Sequence, residues 1–223
     1  MAHAQGTFRN LDFELAQVPT STPPSTLVPA SEALPLWTAY VGNNQQSTVL
    51  YNNLYLGQAV VALLSSDPRN PFPNGVIQGN YTAVLEAGAG GDAAISQTGT
   101  IPPGTKSILF EANMPAASGW TISVGGVTIP VVQVSQVNSY FSLYGGDISA
   151  FAGRTEELRF TALLGQGTPD NMFLDAIQFS SSPIPEPSET AMIAFGGLLF
   201  ILIRVAGSLT GSNAIHGWMK ANR

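Results

Sequence analysis

Apolar runs of no more than eight residues, nearly all closed by Gly or Pro, recur along the middle of the chain: 81–86, 93–98, 106–112, 120–124, 127–134, 140–143, 157–163 and 172–179. Runs of this length and spacing predict the strands of a sandwich or barrel. Gly125-Gly126, between two of the runs, predicts a tight hairpin, because Gly supplies the positive φ such a turn needs. Upstream the pattern is weaker. Residues 8–14 set apolar Phe8, Leu11 and Phe13 among polar neighbours, 37–41 reads as extended, and 50–64 fits neither the strand nor the helix period. The Pro/Ser/Thr-rich stretch 19–35 reads as a loop or insertion that forms neither ladder nor helix. No helical stripe of useful length precedes residue 185. The predicted fold class is all-β: an antiparallel β-sandwich of jelly-roll type over 8–179, then a proline-rich linker and a C-terminal hydrophobic helix.

The pattern changes at 180–189. Ser180-Ser181-Ser182-Pro183-Ile184-Pro185-Glu186-Pro187 forbids helix and predicts a stiff, extended linker. Residues 191–203 then carry no charge and no polar face, and Arg204 closes them. A helix needs about 20 apolar residues to cross a bilayer. The run reaches that length over 190–209, with Arg204 snorkelling to the interface as a membrane stop. A buried core helix is the alternative, but such a helix is normally amphipathic. Residues 210–223 form a short tail.

Composition narrows the function classes. The 223 residues carry 44% hydrophobic and 9% aromatic side chains, more core-forming surface than a disordered chain has. A net charge of −6 with only eight Lys and Arg argues against a nucleic-acid partner, which needs a concentrated basic footprint. With no Cys, the fold lacks disulfides, thiolate nucleophiles and Cys-ligated zinc. The only histidines, His3 and His216, fall outside the predicted domain and leave no Ser-His system. Gly88, Gly90 and Gly91 lack the Lys-Ser/Thr of a phosphate loop. Ala2-His3-Ala4 followed by Gln5 has a small-x-small pattern that fits a residual signal-peptide cleavage region over 1–7, or chance.

Pro185-Glu186-Pro187-Ser188, an apolar helix and then Arg204 resemble the PEP-CTERM sorting signal of exported bacterial proteins. The resemblance implies recognition by an exosortase-like processing enzyme, at least transient membrane anchoring, and display at the cell envelope or in an extracellular matrix. One departure is that members usually end soon after the basic residues, whereas this chain continues for a further stretch to Arg223.

The domain itself resembles galactose-binding-like jelly rolls and carbohydrate-binding modules, in Asn10-Leu11-Asp12-Phe13-Glu14, in 147–153, and in Leu174-Asp175-Ala176-Ile177-Gln178-Phe179. In those families the first and last strands lie side by side and often hold a structural Ca²⁺, which implies Asp12, Glu14 and Asp175 as candidate ligands. Hard oxygen donors suit that ion. If the strand alternates from Phe13 inward, Asp12 and Glu14 share the outward face, and simple solvation is the alternative.

A sugar site needs aromatic faces to stack on and polar groups to grip hydroxyls. Trp37, Tyr40, Tyr51, Tyr55 and Tyr81, near Asn43-Asn44-Gln45-Gln46, supply both types, although aromatics of a sandwich are more often core, Trp120 among them. A glycosidase would need two flanking carboxylates. Asp67, Glu86, Asp92, Glu111, Asp147 and Asp170 are present without a motif that pairs them. The expected function is therefore a non-catalytic exported binding module for extracellular polysaccharide; a ligand-free structural surface protein and a secreted hydrolase are the alternatives.

Overall fold

The computed structural model describes residues 6–55, 57–113, 119–165 and 171–184. The chain divides between Ile184 and Pro185, and the first of the two units, Met1–Ile184, holds every described strand. The Pro185-Glu186-Pro187-Ser188 motif, the 190–209 segment with Arg204, and residues 1–5 lie outside the described residues. Among the described residues no helix is long and apolar enough to cross a membrane.

Two sheets form a β-sandwich. The larger has eight strands in the order β1 (Thr26–Pro29), β4 (Thr48–Tyr51), β5 (Val60–Ser65), β6 (Tyr81–Glu86), β14 (Asn171–Ser180), β8 (Ser107–Asn113), β12 (Phe141–Asp147) and β11 (Val131–Gln136). The smaller has six: β10 (Val127–Thr128), β9 (Trp120–Val124), β13 (Thr155–Ala162), β7 (Ala93–Thr100), β2 (Thr38–Val41) and β3 (Asn44–Gln46). Every named pairing is antiparallel except β4 with β5.

Alternation sorts each strand into two faces. Ile95 of β7, Phe110 of β8, Ile122 of β9, Leu158 and Phe160 of β13, and Leu174 of β14 meet in one continuous core between the sheets. A second, smaller core of Leu50, Leu54, Val60, Ala62, Leu64 and Val84 lies apart from it, with Phe72, Val76 and Phe173 packed on it. Its members alternate with main-core residues along β5 and β6, which places it on the outer face of the larger sheet.

Three expectations are corrected, and the open segment 50–64 resolves. Residues 8–14 form no strand: Asn10 and Phe13 have φ of 54° and 57°, and the chain turns there. Asn tolerates that conformation, and the Asn10 side chain holds it by accepting the Leu15 N–H at 2.9 Å and donating to the Pro35 carbonyl at 3.0 Å. The turned segment still buries Phe8, Leu11 and Phe13 and reaches β14, where the Ile177 N–H donates to the Leu11 carbonyl. Within 19–35, Thr26–Pro29 does join a ladder as edge strand β1, where a proline at the strand end removes no needed donor. It runs into a single helical turn, α1 (Ala30–Ala33). Residues 50–64 contain the end of β4 and most of β5, whose parallel pairing lies under two cores at once, so neither face reads as polar. The expected single strand 127–134 breaks at Pro130, where the chain passes from the smaller sheet to the larger. The Gly125-Gly126 hairpin is present, with φ of 56° and 78° and Val127 opposite Val124.

Candidate functional site

The outer face of the larger sheet carries side chains in rows across β6, β14, β8 and β12. In the central row Phe173 of β14 pairs with Val84 of β6, and Asn113 of β8 pairs with Phe141 of β12. The Phe141 and Phe173 rings lie 5.9 Å apart at 52°. Asn113 joins the two halves: its Nδ2 donates to the Asn171 carbonyl at 2.7 Å and its Oδ1 accepts the Phe173 N–H at 3.0 Å. The amide thus continues the β8–β14 ladder beyond its last backbone pair, Leu174 with Ala112.

Residues 71–75 form a wall of this row. Asn70, buried, pins the loop by donating to the Ser65 carbonyl at 2.7 Å and accepting the Phe72 N–H at 2.9 Å. Gly75 lets the loop lie flat on the sheet, since a Cβ there would meet Leu64 Cδ1 at 2.6 Å and Phe173 Cε1 at 3.2 Å. Opposite, the turn from β11 to β12 is closed by Asn138, whose Oδ1 accepts the N–H groups of Tyr140 at 2.8 Å and Phe141 at 3.0 Å. It holds Tyr140 outward, 60% exposed, with its ring 6.4 Å from Phe141. The result is an open groove of about 390 Å³ between Phe72, Pro73, Asn74 and Gly75 on one side and Tyr140 on the other, floored by Asn113, Phe141 and Phe173. That volume is in the range of small-ligand sites. Among the described residues no charged side chain lines it, and Asn74 is exposed at its rim.

Carboxyl groups flank the aromatic row on both sides. Two residues along the strands, Asp175 stands opposite Glu111 in register. Asp175 is fully buried, which pushes its pKa up to about 7. Hydrogen bonds from the Thr82 hydroxyl at 2.7 Å and the Ala176 N–H at 2.8 Å, with a long one from Gln78, hold it back, while the Glu111 charge raises it further. Ala176 has φ of 51° within a bulge, and that kink turns Ile177 toward Leu11. Burial also raises Glu111. On the other side Glu86 pairs with Asn171. Both Glu86 oxygens and the Asn171 Oδ1 are buried without a hydrogen-bond partner among the described residues. Burial raises the Glu86 pKa. The Tyr55 and Gly57 N–H groups face the carboxylate and offset part of the rise, although neither completes hydrogen-bond geometry.

The expected sugar-stacking residues do not assemble. Trp37 is core, packed on Phe13 and Phe160, and its Nε1 donates to the Asn10 carbonyl at 2.8 Å. Tyr40 lies on the smaller sheet under the Arg159 guanidinium, 4.5 Å away. Tyr51 is buried and donates to Ser65 Oγ at 3.0 Å, though it borders a second cleft of about 400 Å³ with Ser66, Asp67, Asn80 and Tyr81. Tyr55 is 38% exposed in the loop after β4.

Of the candidate calcium ligands, Glu14 and Asp175 converge on one segment, 78–82, but Asp12 does not join them. It is exposed and accepts only a long bond from the Glu14 N–H. Glu14 accepts the N–H groups of Asn80 at 2.6 Å and Tyr81 at 3.0 Å and the Asn80 side chain at 3.0 Å. Its oxygens are engaged by the chain itself. Among the described residues no three acidic or histidine side chains gather as a metal shell. The remaining carboxylates are scattered in local roles: Asp67 pairs with Arg69 at 2.6 Å, Asp92 accepts the Leu164 N–H, and Asp147 accepts the Ser149 N–H. Asp170 lies outside the described residues.

No family model matches the chain. No curated protein matches it either. Among solved structures it is similar to TmCBM61, a carbohydrate-binding module determined in complex with β-1,4-galactotriose, with 13% sequence identity, a TM-score of 0.38, and coverage of 79% of this chain and 99% of that one.

Proposed function

We propose that the sandwich is a non-catalytic glycan-binding module of an exported, envelope-directed protein, and that the aromatic groove is its binding site. The carrying observation is the continuity of exposed Tyr140 with Phe141 and Phe173 over an amide floor. Sugar rings present a C–H face that stacks on aromatic rings and an equatorial rim of hydroxyls that amides bind, and the groove offers both surfaces. The export and sorting half of the reading rests on the Pro185-Glu186-Pro187-Ser188 signature and the apolar segment ending at Arg204.

Affinity electrophoresis through gels containing soluble polysaccharides, with wild-type chain and Tyr140→Ala, tests the groove. Tyr140 is largely exposed, so the substitution leaves the melting temperature in place while weakening retardation about five- to tenfold, the size of one lost stacking contact. Unchanged retardation in Tyr140→Ala would remove the groove from the function.

A further inference from the structure

Resting on the glycan reading of the groove, we infer that its ligand class is an uncharged glycan and that Glu111 is the residue that sets this specificity. Among the described residues the groove lining contains no Lys or Arg to neutralise an acidic sugar. The basic residues among the described ones are placed elsewhere or already engaged. Arg69 is held by Asp67 and the Thr20 carbonyl, Arg154 pairs with Glu156, and Arg159 lies over Tyr40. Arg9 is tied to the Gln97 side chain through its backbone, and the Lys106 backbone N–H bonds Ser180 beyond the far end of the acid row.

Glu111 lies on the groove face of β8, two residues from Asn113, a separation of about 7 Å along the strand. It is half-buried, and burial is the cause of its raised pKa, with no donor in the described residues to offset it. Its cross-strand neighbours are Asp175, which adds like charge rather than relief, and apolar Leu143. A half-buried carboxylate with no donor of its own beside an apolar groove accepts hydrogen bonds from hydroxyls of the next sugar along a seated chain. The same carboxylate repels a uronate or sulfate brought to that position, and the low-dielectric setting of the acid row strengthens the repulsion.

The test compares wild-type chain, Glu111→Gln and Glu111→Lys on two probes of matched length, a neutral β-linked galactan or glucan oligosaccharide series and an oligogalacturonate series, by titration calorimetry. Wild type is expected to bind a neutral series at least tenfold more tightly than the uronates. Glu111→Gln should narrow that ratio several-fold at a melting temperature no lower than that of wild type, and Glu111→Lys should reverse it. Wild-type binding of uronates as tight as that of neutral oligosaccharides overturns the inference while leaving the groove reading intact. So does a neutral-to-uronate ratio that neither substitution moves. Binding of no glycan of either series overturns the groove reading and the inference with it.

Discussion

Glu14 and Asp175 hold the same five-residue segment, Asp175 at its two ends and Glu14 in its middle: Asp175 accepts from Gln78 and Thr82, Glu14 from Asn80 and Tyr81. The segment leads from the groove wall into β6, so two acids from opposite ends of the domain fix where that wall stands. Gly79 sits between them with φ of 64°, and any side chain there would run into the Glu14 carboxylate.

This clasp is built from N–H and O–H donors of the chain, so it is expected to work without an ion. Excess chelator should leave the melting temperature of the purified chain unchanged if the clasp works alone, and a downward shift would show that calcium holds the site. Glu14→Ala strands two backbone N–H groups and is expected to cost about 1–3 kcal/mol in denaturant unfolding. Gly79→Ala should be comparably damaging, through both its backbone conformation and the collision with Glu14.

The raised pKa of Asp175 makes stability depend on pH with a definite sign. A carboxyl at about 7 when folded and 3.8 when unfolded binds its proton more tightly in the native state. Its stabilising contribution is therefore complete below the unfolded value and declines as pH rises from 3.8 towards about 7, with a slope approaching about 1.4 kcal/mol per pH unit at most. Asp175→Asn removes this dependence. Melting curves taken across that window should converge for wild type and variant at the acid end, where Asn stands in for the protonated carboxyl, and separate as pH rises with wild type falling below the variant; parallel profiles would show that another group carries the slope.

Glu86 gives a second acid with a raised pKa, so its contribution likewise fades as pH climbs above the ordinary glutamate range. Glu86→Gln supplies a neutral side chain with an N–H₂ able to reach the unpartnered Asn171 Oδ1. Chemical denaturation at neutral pH should find it at least as stable as wild type. A loss of more than about 2 kcal/mol would mean that the carboxylate is held ionised by a partner.

The proposed anchor is tested by fractionating the full chain beside a version ending at Ile184. The full chain is expected with membranes and the shorter one in the soluble fraction. Recovery of both as soluble without detergent would end the membrane reading of 190–209.

Most strands were legible because each buries one face or both and ends in Gly or Pro: β6 and β9 match their expected bounds, and β7, β8, β13 and β14 differ by a few residues. The groove was less so. Aromatic content drew attention to Trp37 and Tyr51, which the core absorbs, whereas the groove residues arise from register between strands distant in sequence. One signal was available: alternation puts Phe173 on the face opposite Met172 and Leu174, so an aromatic there faces outward. Neither the left-handed turns at Asn10 and Phe13 nor the bulge at Ala176 has a glycine to announce it, and these decide how the acids meet.

The last described strand is a central one in space. β14 lies between β6 and β8, and its bulge receives the segment carrying Leu11. A growing polypeptide that has not yet released residue 180 leaves β6 and β8 without their common neighbour and Phe8 without Phe179, 5.1 Å away in the finished domain. Commitment to the native sandwich is therefore deferred until β14 is available, and until then the strands on either side of it cannot zip together.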